Sequence, residues 1–261
     1  MTKEMTNDKN KGSIQSVERA LKILEVLSTR NEGMSTLEVG ALLGINRTTT
    51  YSLLNTLENN RYVFKNAESK YWISSKLFEL GSIFPRKVPL ARTAQPYINT
   101  LFHQYHIGIK LAITSHPDSP VVILSKNEES DVAPQLGTTL SLSATATGKV
   151  ALAFAPESIR QELIDSLTMV RYTNNTIMDK QELLRELARI RSLDYALDNE
   201  EALDNTTCIA FPIFNVHKHL IGVLGFSDTT SRIQPLMPEL VKAGLQNSKS
   251  ISREFGWSET E

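Results

Sequence analysis

The sequence predicts an α+β chain of 261 residues in two domains: a three-helix unit closed by a β-hairpin, then an antiparallel sheet covered by helices. Three patterns lead there. Residues 13–59 hold apolar side chains at helical spacing, broken only by turn signals. The period then drops to two, with aromatic residues, over Arg61–Ile73. Beyond residue 106 the strand-like segments come as a pair and later as a trio, rather than alternating singly with helices, which disfavours a doubly wound parallel sheet.

Residues 1–12 are polar, charged and aperiodic, and are expected to form a tail. Ser16 is the expected cap of the first helix, whose Val17, Ala20, Leu21, Leu24 and Leu27 form one apolar face, and Asn31–Met34 are read as a loop. Ser35 with Glu38 three residues on has the form of a capping box, each partner satisfying an amide of the other. Leu37, Ala41 and Leu42 are the apolar stripe expected for that short helix, and Gly44 can take the left-handed conformation that ends it. Asn46 caps the next helix, in which Thr50, Leu53, Leu54 and Leu57 recur at i, i+3, i+4, i+7 and face a core. Two short helices joined by a tight turn make a helix-turn-helix. A hairpin of Arg61–Phe64 and Lys70–Ile73 around the turn Lys65–Ser69 makes it a winged one, over residues 13–73.

Residues 74–88 are read as a linker or dimer helix, because Leu77, Phe78, Leu80 and Ile83 lie outside the three-helix core and want a partner; Pro85 and Pro89 mark the hand-over. The second domain, 89–261, begins with a helix over Leu90–His106 bearing Ala94, Tyr97, Ile98, Leu101 and Tyr105. Strands Ile107–Thr114 and Val121–Ser125 then pair across a His116–Pro120 turn. A polar stretch, 126–137, precedes a short alternating segment that passes into a helix over Thr145–Phe154, and Pro156 opens the next. An amphipathic helix over Asp179–Leu193, with Leu183, Leu184, Leu187 and Ile190 inward, leads to strands Tyr195–Glu200, Cys208–Phe214 and Leu220–Phe226. A helix over Ile233–Phe255 closes the chain.

Composition excludes several function classes. No apolar run approaches the roughly 20 residues of a membrane span, and the N-terminus has no signal-peptide core, so a cytoplasmic protein is expected. A lone cysteine, Cys208, rules out an internal disulfide framework or a multi-cysteine zinc site. The net charge of −1 advertises no nucleic acid, although residues 1–85 alone carry 11 Lys and Arg against 9 Asp and Glu. Gly148-Lys149 lacks the preceding glycine and the following hydroxyl residue of a phosphate-binding loop, and no dinucleotide fingerprint, nucleophile elbow or HExxH occurs. Neither catalytic residues nor a cofactor are expected. His217 and His219 flank a strand turn, where an exposed hairpin tip competes with a metal pair.

Two groups of residues carry the functional expectation. The outward face of the second short helix holds Arg47, Thr48, Thr49, Tyr51, Ser52 and Asn55, short hydroxyl and amide groups with one arginine, as suits a helix lying among phosphates and base edges. An ordinary solvated surface is the competing reading. Ser35 and Thr36 at the start of the preceding helix, and Lys65 and Lys70 flanking the hairpin tip, are further candidates for DNA contact. In the second domain, Thr145–Gly148 opens a helix with hydroxyls and free amides that suit an anion, or else caps itself. Asp198 and Glu200 can accept from a polar ligand's hydroxyls, Ser227 ends another strand, and Cys208 reads as a buried small hydrophobe.

The segments SIQSVERALKILEVL, STLEVGALLGINRTTTYSLLNTLE, ATATGKVALA, DYALDNEEALDNTTCIAFPIF and GVLGFSDTTSRI resemble the IclR family of bacterial transcription regulators over nearly the whole chain. The resemblance implies a GAF-like effector domain and a homodimer associating further to a homotetramer. It also implies a repressor, or alternatively an activator, of a catabolic operon that senses a small carboxylate or aromatic metabolite. By motif position it places effector contacts at Leu140, Ala146, Thr147, Asp198, Cys208, Gly225 and Ser227. Two positions depart from the pattern: Ala146-Thr147 replaces a Gly-Ala type pair, and Asn199 replaces a second acidic residue.

Overall fold

The computed structural model describes residues 13–116, 119–127 and 135–259, and divides at Phe84–Pro85 into two compact units. The expected tail, the centre of the His116–Pro120 turn and most of the polar stretch after residue 126 lie outside the described residues.

The first unit packs α1 (Gln15–Ser28), α2 (Thr36–Leu43) and α3 (Arg47–Asn59) on a small sheet of β1 (Met34–Ser35), β2 (Val63–Lys65) and β3 (Lys70–Ile73) in the order β1-β3-β2. Its core joins Ile23 and Leu27 of α1 to Val39, Leu54, Leu57, Val63 and Tyr71. The capping box is present: Glu38 N donates to Ser35 Oγ at 3.3 Å, and Ser35 N to Glu38 Oε2 at 2.7 Å. Gly44 ends α2 at φ 64°, and Asn46 Oδ1 accepts from Thr49 N at 2.9 Å to start α3.

Several sequence expectations are corrected here. Ser16 lies inside α1, whose N-cap is Ile14 with no side-chain bond, and Val17 and Leu21 are exposed while Ile23 is buried. In α2 the inward residues are Val39 and Gly40; Leu37, Ala41 and Leu42 face outward. Met34 and Ser35, read as loop and cap, add a third strand, Met34 opposite Tyr71 and Ser35 opposite Lys70. The next helix, α4 (Ser75–Lys87), falls within the 74–88 read as a helix; it runs through Pro85 and leaves Phe78, Leu80, Ile83 and Phe84 exposed.

The second unit is an antiparallel five-stranded sheet, order β5-β4-β8-β7-β6, from β4 (Gly108–His116), β5 (Ser119–Lys126), β6 (Ala196–Asn199), β7 (Thr206–Phe214) and β8 (Leu220–Thr229). Period-two alternation gives each strand two faces, and both are covered. On one face Ile109, Leu111, Ile209, Phe211, Leu224 and Phe226 pack with α5 (Pro89–Tyr105) and α9 (Thr230–Glu254). On the other, Ala196, Cys208, Ala210 and Val223 pack with α6 (Ala146–Ala153) and α8 (Lys180–Leu193), while α7 (Glu157–Ser166) lies against α6. The alternating run before α6 is not a strand; it makes a single bridge, Thr139 to Val121. Glu200 is not on the strand of Asp198 either: β6 ends at Asn199, and Glu200 turns the chain at φ 60°. Among the described residues no helix is long and apolar enough to cross a membrane.

Candidate functional site

In the first unit the candidate nucleic-acid surface grows from the way α3 begins. Asn46 fixes the first turn, Thr50 is buried, and its hydroxyl donates to Asn46 O at 3.0 Å, so the remaining face must point outward. Arg47, Thr48, Tyr51, Ser52 and Asn55 are exposed and Thr49 is half-buried. The Ser52 hydroxyl donates back to Thr48 O at 3.1 Å, which leaves its oxygen as an acceptor and keeps the side chain close to the helix. Arg47 and Tyr51 are thereby the long polar groups on a face of short ones, and Asn55 adds an amide that both donates and accepts. Ser35 and Thr36, half-buried, start α2, and the Ser35 oxygen is engaged in the capping box.

The wing is built by Asn66, whose Oδ1 accepts from Glu68 N at 3.1 Å and Lys70 N at 3.0 Å, and by Phe64 stacked on Trp72. Lys65 is exposed, with its ammonium 5.5 Å from the Tyr71 ring centre. Lys70 flanks the hairpin tip at the start of β3, as expected; it is half-buried opposite Ser35, and after the two hydrogen bonds from Ser35 its charge helps to hold the Glu38 carboxyl below its ordinary range.

In the second unit the register assembles a polar row across the face beneath α6. Asp198 pairs with Cys208, Cys208 with Ser227, and Ser227 with Gly108. The next row on that face holds Ala210, Gly225 and Lys110. The sheet thus brings together Asp198, Cys208, Gly225 and Ser227, and α6 sets Ala146 and Thr147 on the same side. Leu140 is buried but belongs to the segment beside β5, where its amide donates to Pro120 O, so it borders the opposite end of the sheet from Asp198.

Every one of these side chains is sealed from bulk water, and each answers burial differently. Asp198 Oδ1 accepts from Glu201 N at 2.8 Å and Ala202 N at 3.2 Å, yet desolvation outweighs those bonds and its carboxyl is pushed up. Burial pushes the Cys208 thiol up to about 11, which keeps it protonated and inert. The start of α6 proves to be self-capped: Gly148 N donates to Thr145 Oγ1 at 3.0 Å, and the Thr145 hydroxyl donates to Ser141 O at 2.7 Å. Among the described residues two buried hydroxyls find no hydrogen-bond partner, Thr147 Oγ1 and Ser227 Oγ.

Five residues in and around the site were not read from the sequence. Lys149, set aside as a failed phosphate loop, is buried and ion-paired to both oxygens of Glu201 at 2.6 and 2.8 Å. Glu201 thus takes the place expected of Glu200. Thr173 and Thr176 hold that turn by donating to Glu200 O at 2.6 Å and Glu201 O at 2.7 Å. Lys110 lies across Gly225 and reaches Cys208, its ammonium 4.0 Å from Sγ. His217 and His219 are exposed at a hairpin tip, their amides bonded to Asn215 Oδ1, and no three His, Cys, Asp or Glu gather as a metal needs among the described residues.

Residues 16–67 match the family model described as the IclR helix-turn-helix domain, and residues 85–253 that of the bacterial transcriptional regulator IclR C-terminal domain. The transcriptional regulator XynR of Escherichia coli K12 is 29% identical over 245 residues, 91% of this chain and 97% of XynR. The transcriptional repressor IclR of the same strain is 26% identical, covering 85% of this chain and 82% of its own length. The p-hydroxybenzoate hydroxylase transcriptional activator of Acinetobacter baylyi is 28% identical, covering 85% and 84%. A crystal structure of an IclR homologue complexed with 4-hydroxybenzoate, from Microbacterium hydrocarbonoxydans, superposes with a TM-score of 0.73 over 92% of this chain and 99% of that one; at 18% identity the likeness is one of fold.

Proposed function

Since the chain belongs to the IclR family of bacterial transcriptional regulators, it is a ligand-responsive DNA-binding regulator, and we propose that it works as a cytoplasmic, non-enzymatic repressor of a catabolic operon. The observation that carries the DNA half is the outward face of α3, where Arg47, Tyr51 and Asn55 recur every four residues on a helix fixed by its cap. Such a helix docks in a major groove and reads base edges by paired hydrogen bonds. Thr48, Thr49, Ser52, Ser35, Thr36 and Lys65 would then touch the backbone, and Lys70 would support the wing. Two copies reading a pseudo-palindrome would stand about one DNA turn, ~34 Å, apart or a multiple of it. The exposed Phe78, Leu80 and Ile83 of α4 favour self-association, as a dimer and in turn a tetramer. The effector contacts are Ala146, Thr147, Asp198, Cys208, Gly225 and Ser227, with Leu140 at the margin.

The test is a gel shift and footprint on the DNA upstream of the chain's own coding region. Arg47→Ala should cost about 1–3 kcal/mol and relax base preference, whereas Lys65→Ala should weaken all sequences alike and flatten the salt dependence by about one charge. Unchanged operator affinity in a variant lacking the Arg47, Tyr51 and Asn55 side chains would overturn the DNA assignment. A transcriptional activator is the second reading, favoured by the Acinetobacter relative's name, and reporter output in a strain lacking the protein separates the two: expression rises for a repressor and falls for an activator.

A further inference from the structure

We propose that Lys110 is the residue that selects the effector's chemical class, a small aliphatic hydroxycarboxylate whose carboxylate pairs with the Lys110 ammonium while its hydroxyls bond to Ser227, Thr147 and Asp198. The inference rests on reading the second unit as an effector domain, and adds a residue and a ligand chemistry to it. Lys110 is only 3% exposed, on β4 between β5 and β8, and the sole hydrogen-bond contact of its ammonium among the described residues is the weak thiol of Cys208 at 4.0 Å. A buried ammonium is costly unless an anion lies against it, and Lys110 attracts the Asp198 carboxyl without forming an ion pair with it among the described residues. The nearby charges do not meet that need. Glu201 is engaged by Lys149 through both oxygens, and Asp198 gives one oxygen to two backbone amides, with no ion pair to Lys110 among the described residues.

On the same covered face, Ser227 lies two residues from Gly225, the register partner of Lys110, α6 with Thr147 packs over β7 and β8, and neither Ser227 Oγ nor Thr147 Oγ1 has a hydrogen-bond partner among the described residues. Buried polar groups are almost always satisfied, so a cation and two orphan hydroxyls on one covered face mark a place where a ligand supplies the missing partners. Position 225 has been given over to the lysine: a Cβ on Gly225 would sit 2.7 Å from Lys110 Cε and 2.9 Å from Cγ, so only glycine lets the side chain lie flat across β8 toward Cys208. The polar groups of this face, the Ser227 and Thr147 hydroxyls and the Asp198 carboxyl, match a ligand that carries hydroxyls beside its carboxylate. Lys110 supplies donors to the carboxylate, and the Asp198 carboxyl offers oxygens that accept from a ligand hydroxyl.

The full chain is titrated with D-glycerate and D-gluconate, and separately with the uncharged polyols glycerol and D-glucitol, following Tm. At least one acid should raise Tm in proportion to the logarithm of its concentration above Kd, and the polyols should not. Lys110→Met should abolish the rise, and Lys110→Arg should retain part of it. If Lys110→Met does not melt cooperatively, Ser227→Ala, which removes an orphan hydroxyl, should weaken the acid about tenfold. No rise with either acid, an equal rise with the polyols, or a Lys110→Met variant that responds like the wild type overturns the inference. Failure of the regulator reading shows elsewhere, as a ligand-free wild-type protein that does not footprint its upstream DNA.

Discussion

At the level of single residues, Asp198 shows how the site sets its own pH dependence. Its carboxyl is raised above 3.8 because burial outweighs the two amide bonds, with the attraction of Lys149 and Lys110 smaller still. A carboxyl that holds its proton more tightly when folded favours the folded state at low pH. That advantage is lost as pH climbs from the ordinary carboxylate range through the raised folded value. Asp198→Asn keeps the oxygen that accepts from Glu201 N and Ala202 N and removes the charge. Scanned from about pH 4 to about pH 7, the variant's Tm should therefore gain on the wild type as pH rises; parallel curves would show that Asp198 does not titrate in the folded protein. The residue was legible in the sequence because an acidic side chain in a β-strand motif stands out. Lys110 was not. In Ile109-Lys110-Leu111 the alternation is what any half-solvated strand gives, and only the presence of α6 over that face turns an apparent surface lysine into a buried one.

At the level of elements, local signals that act through backbone hydrogen bonds were readable, and signals that depend on a neighbour were not. The capping box at Ser35, the left-handed Gly44 and the Asn46 cap are all where the sequence puts them, since each satisfies backbone groups within four residues of itself. The inward face of α2 was misjudged because VGALL offers apolar residues in every direction on a helix of eight residues. Packing against Ile23 and Leu54, not periodicity, chooses Val39. The pair Lys149–Glu201 is the same kind of blind spot: it ties α6 to the turn after β6, 52 residues away in sequence. Lys149→Met should cost about 3–5 kcal/mol in denaturant unfolding, because it leaves the Glu201 carboxyl buried without its ammonium. Replacing both by methionine should recover much of that loss, as an apolar pair of similar volume is often neutral. A double variant whose loss equals the sum of the single losses would show that the two do not act as a unit.

For the molecule as a whole, the decisive property is that a ligand-binding unit and a DNA-binding unit share one chain, since regulation is nothing other than a free energy coupling the two sites. A ligand that binds free and operator-bound protein equally well changes nothing, however tight it is. Effective control therefore requires a differential affinity, and thermodynamic reciprocity fixes its size from either end. If saturating acid lowers operator affinity by some factor, typically about 5- to 150-fold, then saturating operator must lower the affinity for the acid by the same factor. Calorimetric titration of the acid into the free protein, and into the protein preloaded with operator duplex, gives one factor; gel shifts with and without the acid give the other. Equality is expected for the wild type. In Lys110→Met both factors should fall to one at acid concentrations that saturate the wild type, because the variant has lost the ligand and not the operator. Unequal factors in the wild type would mean that the acid acts on a third process, such as assembly of copies of the chain, and measuring subunit mass with and without the acid would identify it.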